Sequence, residues 1–184
     1  MQPVLSKKYV NSDKELQKLC DSGLYRQAFE EIVQLYSKRL YWHIRKMVLV
    51  HDDADDVLQN TLIKAWTGLP GFRWESQLFT WLYRIATNEV LTFLKKNKAL
   101  TRIPLEERLE ADAPLFSGDR IQEALQEAIR RLPAKQRLVF TMRYFEEIRY
   151  EDMSQILGTS VGSLKASYHH AFTKVQKTLR ELLL

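Results

Sequence analysis

The chain has 184 residues and a mass of 21.7 kDa, with 28 Lys and Arg against 23 Asp and Glu, a formal charge of +5 and a pI near 9.3. That balance favours polyanionic partners. With 45% hydrophobic and 11% aromatic residues but only 6 Gly and 5 Pro, the chain is too apolar for wholesale disorder and too poor in turn formers for a many-stranded β fold, which leaves helices.

One cysteine, Cys20, excludes an intramolecular disulfide framework and a cysteine-cluster metal site, and points to a reducing, cytoplasmic setting. Met1–Val10 carries two lysines but no apolar signal-peptide segment. No stretch approaches the ~18 apolar residues of a membrane span, so neither secretion nor insertion is expected. At roughly 100–200 residues per domain, the length allows one domain or two small ones with modest cores. The charge is uneven: +1 over residues 1–70, +4 over 71–102, −3 over 103–120 and +3 over 121–184.

From Phe29 the apolar residues Phe29, Val33, Tyr36, Leu40, Ile44 and Met47 recur at helical spacing, predicting a long first helix with one buried face. His51-Asp-Asp-Ala-Asp-Asp56 interrupts it. Val57, Leu58, Leu62, Ala65 and Trp66 then resume the stripe until Gly68-Leu-Pro-Gly71, so a second helix is expected from about Asp53 to Thr67. Acids in its first turn oppose the positive end of the helix dipole by about 0.3–1 kcal/mol each, which by itself describes a solvated, well-capped helix start. A second reading stands beside it. Asp52, Asp56, Asn60 and Lys64 recur every fourth residue with Asp55 and Gln59 alongside, one polar face that a partner could meet. A calcium loop does not fit, because Val57 falls on the third ligand position.

Five aromatics lie between Phe72 and Tyr83, followed by Lys95-Lys-Asn-Lys98 and Arg102. Leu78, Leu82, Ile85, Ala86, Val90 and Phe93 trace the buried stripe of a third helix, which leaves Thr80, Arg84, Asn88, Thr92 and Lys95 outward. Basic, aromatic-rich elements suit single-stranded nucleic acid, because rings stack on unpaired bases and cations follow the phosphates. Phe79 and Trp81 fit the core better. Phe72 and Trp74, in the loop, are the better platform. Residues 103–120 are acidic, with two prolines, a Gly and no helical period, and read as a linker.

Beyond it, Ile121, Leu125, Ala128, Ile129 and Leu132 form a stripe stopped by Pro133, and Leu138, Met142 and Phe145 predict the next helix, followed by a loop at 146–149. Tyr150–Leu157 reads as a short helix closed by Gly158. Ser160 is placed to cap a longer helix whose buried face is Val161, Leu164, Tyr168, Ala171, Val175, Leu179 and Leu182. Together these predict a helix-turn-helix. Ser163, Ala166, Ser167, His170, Lys174 and Lys177 lie outward, with Lys165 to one side. Ser163, Ser167 and His170 are placed for base edges, Lys165 and Lys174 for phosphates. A plain two-helix hairpin with a solvated face is the other reading of this segment. Gly158-Thr-Ser-Val-Gly162 matches a hydrolase nucleophile elbow only in letters, since a helix precedes it. His169 and His170, about 100° apart on a helix, cannot share a metal.

The order of these blocks resembles the bacterial RNA polymerase sigma factors of the extracytoplasmic-function (ECF) group of the sigma-70 family. The resemblance rests on Asp53-Ala-Asp-Asp-Val-Leu-Gln59 with Ala65-Trp66, on Phe72 to Asn88 with its Trp-Leu-Tyr-Arg-Ile-Ala-Thr-Asn stretch, on Leu132-Pro-Ala-Lys-Gln-Arg137, and on Tyr150 to Ala171. It implies an all-α fold of two small helical domains joined by an acidic linker, the C-terminal one a helix-turn-helix. Residues 1–102 would form the polymerase-docking and minus-10 domain, 103–120 the linker, and 121–184 the minus-35 domain. Asp53, Asp55, Asp56, Gln59, Asn60 and Lys64 would meet the clamp helices of core RNA polymerase. Phe72, Arg73, Trp74, Arg84, Asn88 and Lys95 would meet the melted minus-10 strand. Ser160, Ser163, Lys165, Ser167, His170 and Lys174 would meet the minus-35 duplex.

The implied partners are core RNA polymerase and promoter DNA, with an anti-sigma factor left open, and no cofactor, metal or enzymatic activity. Two departures stand out. Many members carry arginine where this chain has Ser167 and His170, and Asn60 replaces the usual acid beside Gln59. The rival reading is a free-standing helix-turn-helix regulator, usually a dimer on a palindrome, which leaves the aromatic basic loop unexplained.

Overall fold

A computed structural model describes residues 7–48, 50–97 and 120–183, with side chains from Ser12 onward. It contains α1 (Lys7–Asp21), α2 (Tyr25–Arg45), α3 (His51–Gly68), a 3-10 turn at Leu69–Gly71, α4 (Leu78–Lys96), α5 (Arg120–Arg130), α6 (Ala134–Tyr144), α7 (Tyr150–Leu157) and α8 (Val161–Leu183). No strand occurs among the described residues. The helices divide into two compact units, the first built on α1–α4 and the second on α5, α6 and α8 with most of α7. The acidic linker lies outside the described residues except for Arg120, which opens α5, and so do Lys98 and Arg102.

In the first unit α2 packs against α1, α3 and α4, and α3 also packs against α4. The buried line of α2 runs through Ala28, Ile32, Tyr36, Leu40 and Ile44. Phe29 and Val33, expected on that line, are only half-buried, because the helix starts at Tyr25 and its inward face is centred one residue earlier. Helix α1 lies outside the elements that apolar periodicity predicts. It buries Leu16 and Cys20, and burial pushes the Cys20 thiol pKa up. Gly23, at φ +76°, turns the chain from α1 into α2. In α4, Thr80 is 4% exposed rather than outward.

In the second unit α5 and α6 both pack on α8. Its core joins Ala128, Ile129, Leu132, Phe140, Ala171 and Val175, bordered by Leu125, Tyr168 and Leu179. Ile121, predicted to be buried, is 58% exposed, and Ala124 takes the inward place. Arg149 precedes α7 and pairs with Asp152 at 3.1 Å, a contact that raises the Arg149 pKa. Gly158 closes α7 at φ +62° and returns its N–H to the Ser154 carbonyl at 2.9 Å. This is the left-handed cap that only glycine adopts without a Cβ penalty. A Cβ there meets nothing within 4 Å, so the penalty is purely one of backbone. Gly158→Ala is therefore expected to lower stability by about 1–2 kcal/mol, with Gly158→Asn in between, as read by urea unfolding followed by circular dichroism.

Candidate polymerase and nucleic-acid interfaces

Helix α3 has an extended Val50 before it and no side-chain cap, so Asp52 and Asp53 in its first turn supply the counter-charge to the helix dipole. Ala54, Val57, Thr61 and Ala65 face inward, and the Thr61 hydroxyl donates to the Val57 carbonyl at 2.7 Å. That turns Asp52, Asp56, Gln59 and Asn60 outward, while Asp53 and Asp55 sit half-buried at the edges. Asp53, Asp55 and Lys64, three of the six expected docking residues, are already engaged. Asp55 lies 3.3 Å from His51 Nδ1, the atom that also meets the Tyr41 hydroxyl at 3.0 Å, and Lys64 is paired with Glu89 of α4.

Two apolar residues complicate this face. Trp66, expected in the buried stripe, is 43% exposed, with its ring edge-on to Phe29 at 5.2 Å. Ile63, which the sequence reading passed over, is 60% exposed. Four residues after Gln59 and seven after Asp56, it lies in the middle of the polar face. The signal was an isoleucine falling outside the buried stripe.

The segment after α3 is held by Leu69, which is fully buried, and by the Phe72 N–H donating to the Leu69 carbonyl at 3.1 Å. Phe72 stacks on Trp81 with centroids 4.8 Å apart and an interplanar angle of 28°, and Trp74 tilts against Phe72 at 4.9 Å. Trp74 has φ +57°, a left-handed backbone that bulky residues avoid. Gly68, Gly71, Phe72, Arg73, Glu75, Ser76 and Trp81 enclose an open cavity of about 260 Å³. Trp81 is thus neither core nor free platform. It is half-buried and forms the wall on which Phe72 rests, whereas Phe79 is buried as expected. Arg84, Asn88 and Lys95 are exposed along one face of α4.

In the second unit Ser160 caps α8: its Oγ accepts from the Ser163 N–H at 3.3 Å, and its hydroxyl donates to Ser163 Oγ at 2.9 Å. Ser163, His170 and Lys174 are exposed and Ser167 is half-buried. These four share one side of the helix, where Lys174 donates to Gln136 of α6 at 3.0 Å. Lys165 is set apart, about 200° around the helix from Ser163. Its ammonium stands 5.8 Å from the centre of the Tyr150 ring, which Arg143 also approaches at 5.1 Å. Lys165 therefore belongs to the flank beside α7 rather than to the Ser163–His170 side.

Among the described residues no group of three or more His, Cys, Asp or Glu side chains is placed to hold a metal ion, and no helix is long and apolar enough to cross a membrane.

Residues 32–100 match the pattern of sigma-70 region 2, and residues 122–175 that of sigma-70 region 4. The RNA polymerase sigma-H factor of Pseudomonas aeruginosa is 31% identical over 175 residues, spanning 86% of this chain and 89% of that protein. The ECF RNA polymerase sigma factor SigW of Bacillus subtilis is 27% identical over 171 residues, spanning 85% and 91%. Among solved structures, the sigma factor RpoE of Bartonella quintana, in complex with the anti-sigma factor NepR, superimposes with a TM-score of 0.67 at 25% identity over 83% of this chain and 96% of that one. CnrH, in complex with the cytosolic domain of CnrY, shares the fold with a TM-score of 0.69 at 23% identity over 92% and 98%. The chain belongs to the sigma-70 family of RNA polymerase sigma factors, and within it to the ECF group.

A Cβ at Gly68 would stand 3.1 Å from Trp81 Cζ2. Gly68→Ala is expected to displace the Trp81 ring by a few tenths of an ångström and to shift tryptophan emission, with the steric cost offset in part by the better helix propensity of Ala, about 1 kcal/mol, as measured by fluorescence-monitored urea unfolding.

Proposed function

We propose that the two units of this sigma factor divide promoter recognition, the first docking core RNA polymerase and holding the unpaired minus-10 strand, the second reading the minus-35 duplex. Directing polymerase to promoters is the function of the family; the assignment of residues is our reading. The observation that carries it is the pairing, in one small unit, of an acidic helix face centred on Asp56, Gln59 and Ile63 with an aromatic loop beside a cavity.

The outward side of α3 is the docking face, with Asp56 and Gln59 at its middle, Asp53 and Asn60 on one edge and Asp55 on the other. Lys64 contributes through Glu89, holding α3 to α4. A base extruded from the minus-10 strand costs a few kcal/mol, and stacking at roughly 1–3 kcal/mol per base offsets it. Phe72 and Trp74 supply the rings, and Arg73, Arg84, Asn88 and Lys95 the phosphate and base-edge contacts. In the second unit Ser163, Ser167 and His170 address base edges, Ser160 and Lys174 the backbone beside them, and Lys165 a phosphate on the α7 flank. The polymerase performs the chemistry, and this chain contributes binding alone, in the bacterial cytoplasm where core enzyme and promoters meet. The Bartonella relative is seen with an anti-sigma factor, and we propose a partner of that class here as well.

Co-elution of the purified chain with bacterial core RNA polymerase on size exclusion, abolished by Asp56→Arg, is the expected result; no complex at low or moderate salt would leave a free-standing DNA-binding regulator. Lys165→Ala should weaken promoter binding at every sequence and reduce the salt slope by about one, whereas His170→Ala should change preference at one or two base pairs. Filter binding across a promoter-variant panel separates them, and equal loss at all variants for His170→Ala would remove its base-reading role.

A further inference from the structure

Helix α4 begins with an electrostatic problem. The first turn of any helix presents N–H groups without intrahelical acceptors, yet Gln77 gives α4 no side-chain cap and its first turn holds no acid. The acceptor comes from 65 residues upstream. Asp13 of α1 takes the Leu78 N–H on Oδ2 at 3.1 Å, and its Oδ1 accepts the Tyr36 hydroxyl at 3.3 Å. Tyr36 is fully buried in α2. One carboxylate therefore joins α1, α2 and the start of α4.

Leu78 is also where loop 72–77 ends. The upstream end of that loop is fixed by buried Leu69 and by the stack of Phe72 on Trp81. The downstream end is fixed by the Asp13 contact. We propose that Asp13 is a positioning residue for strand capture, setting through the start of α4 the place and orientation of the loop that carries Phe72, Arg73 and Trp74. This rests on the reading of that loop given above.

The energetics fit a residue kept for position more than for stability. Burial pushes the Asp13 carboxyl pKa up, and the bonds from Leu78 and Tyr36 only partly offset the effect. A raised folded-state pKa means that protonation favours the fold: this contribution is present at low pH and is lost as pH rises through the raised value. The ionised carboxylate is thus held half-buried at some cost to the fold, while its charge complements the positive end of a 19-residue helix.

The test uses the full chain as Asp13→Ala, Asp13→Asn and Tyr36→Phe. Amide hydrogen exchange on the free chain reads the anchor directly, and Asp13→Ala should speed exchange at residues 78–81 while leaving 51–68 unchanged. Function is read with holoenzyme on a fork-junction DNA enriched by the unsubstituted holoenzyme from a pool randomised in its single-stranded minus-10 segment. Asp13→Ala should lower affinity for that fork about tenfold, the worth of one hydrogen bond, with binding to core polymerase unchanged. Asp13→Asn, which still offers an oxygen to Leu78, should recover most of the affinity without lowering the unfolding midpoint, and Tyr36→Phe should fall between. Unchanged fork affinity in Asp13→Ala, or fork and core affinities falling together, would overturn the proposal, the second because Asp13 would then merely hold the fold. If the unsubstituted holoenzyme enriches no sequence, the reading of the loop fails instead, and unchanged exchange at 78–81 would still overturn the anchor.

Discussion

A helix packed on three sides must find a partner for every polar atom it carries inward, and α2 carries several. Tyr36 gives its hydroxyl to Asp13 of α1, His43 Nε2 meets Thr87 Oγ1 of α4 at 3.1 Å, and the buried Arg45 donates to the Val48 carbonyl at 3.1 Å beyond the end of the helix. An unsatisfied buried group of this kind costs about 1–3 kcal/mol, so the Asp13 and Thr87 contacts each select one register of the neighbouring helix, and the Arg45 contact fixes the turn that leaves α2. Apolar burial along Ile32, Leu40 and Ile44 drives assembly without direction. The polar contacts supply the direction. Once α1 and α4 are placed against α2, the outward faces of α3 and α4 and the loop between them follow.

The second unit reaches the same end by other means. Its aliphatic core surrounds one buried ring, Phe140, which stacks on the exposed Tyr144 at 5.1 Å and on the half-buried Tyr168 at 5.8 Å, and burial raises the Tyr168 pKa. A large buried ring gives a small domain much buried area per residue. With α8 held by α5 and α6 through Ala171, Val175 and Tyr168, the adjoining side, roughly a quarter turn away, carries Ser163, His170 and Lys174, the last tied to Gln136 of α6.

Much of this was legible in the sequence because it rests on periodicity and on stop signals. The spans of α3, α4 and α7, the Gly158 turn and the Ser160 cap follow from apolar spacing, Gly and Ser alone. The failures have specific causes. Among the described side chains of α1 only Leu16 and Cys20 are buried, too short a stripe to register. Thr80 and Ile121 were assigned by angle, but a helix that meets two neighbours, as α4 does, buries a wider arc, and one that starts at a unit's edge leaves its first turn in water. The carboxylate of Asp13 at the start of α4 is invisible to any local rule, since donor and acceptor are 65 residues apart. The pairing of Lys64 with Glu89 is hidden for the same reason, 25 residues apart, whereas Asp55 meets His51 one turn earlier on its own helix, a spacing the sequence does show.

The left-handed Trp74 bears on the thermodynamics of binding. A bulky residue at φ +57° beside a stacked Phe72 and Trp81 belongs to a loop with one packed arrangement, so the ordering entropy of the rings falls at folding rather than at the encounter with a ligand. Association with an unpaired base would then lose little protein entropy. Its rate would follow how often the DNA presents an open base, with no slow rearrangement of the protein to wait for. On the strand-capture reading proposed above, the loop would be a fixed template against which the opening of the duplex is sampled.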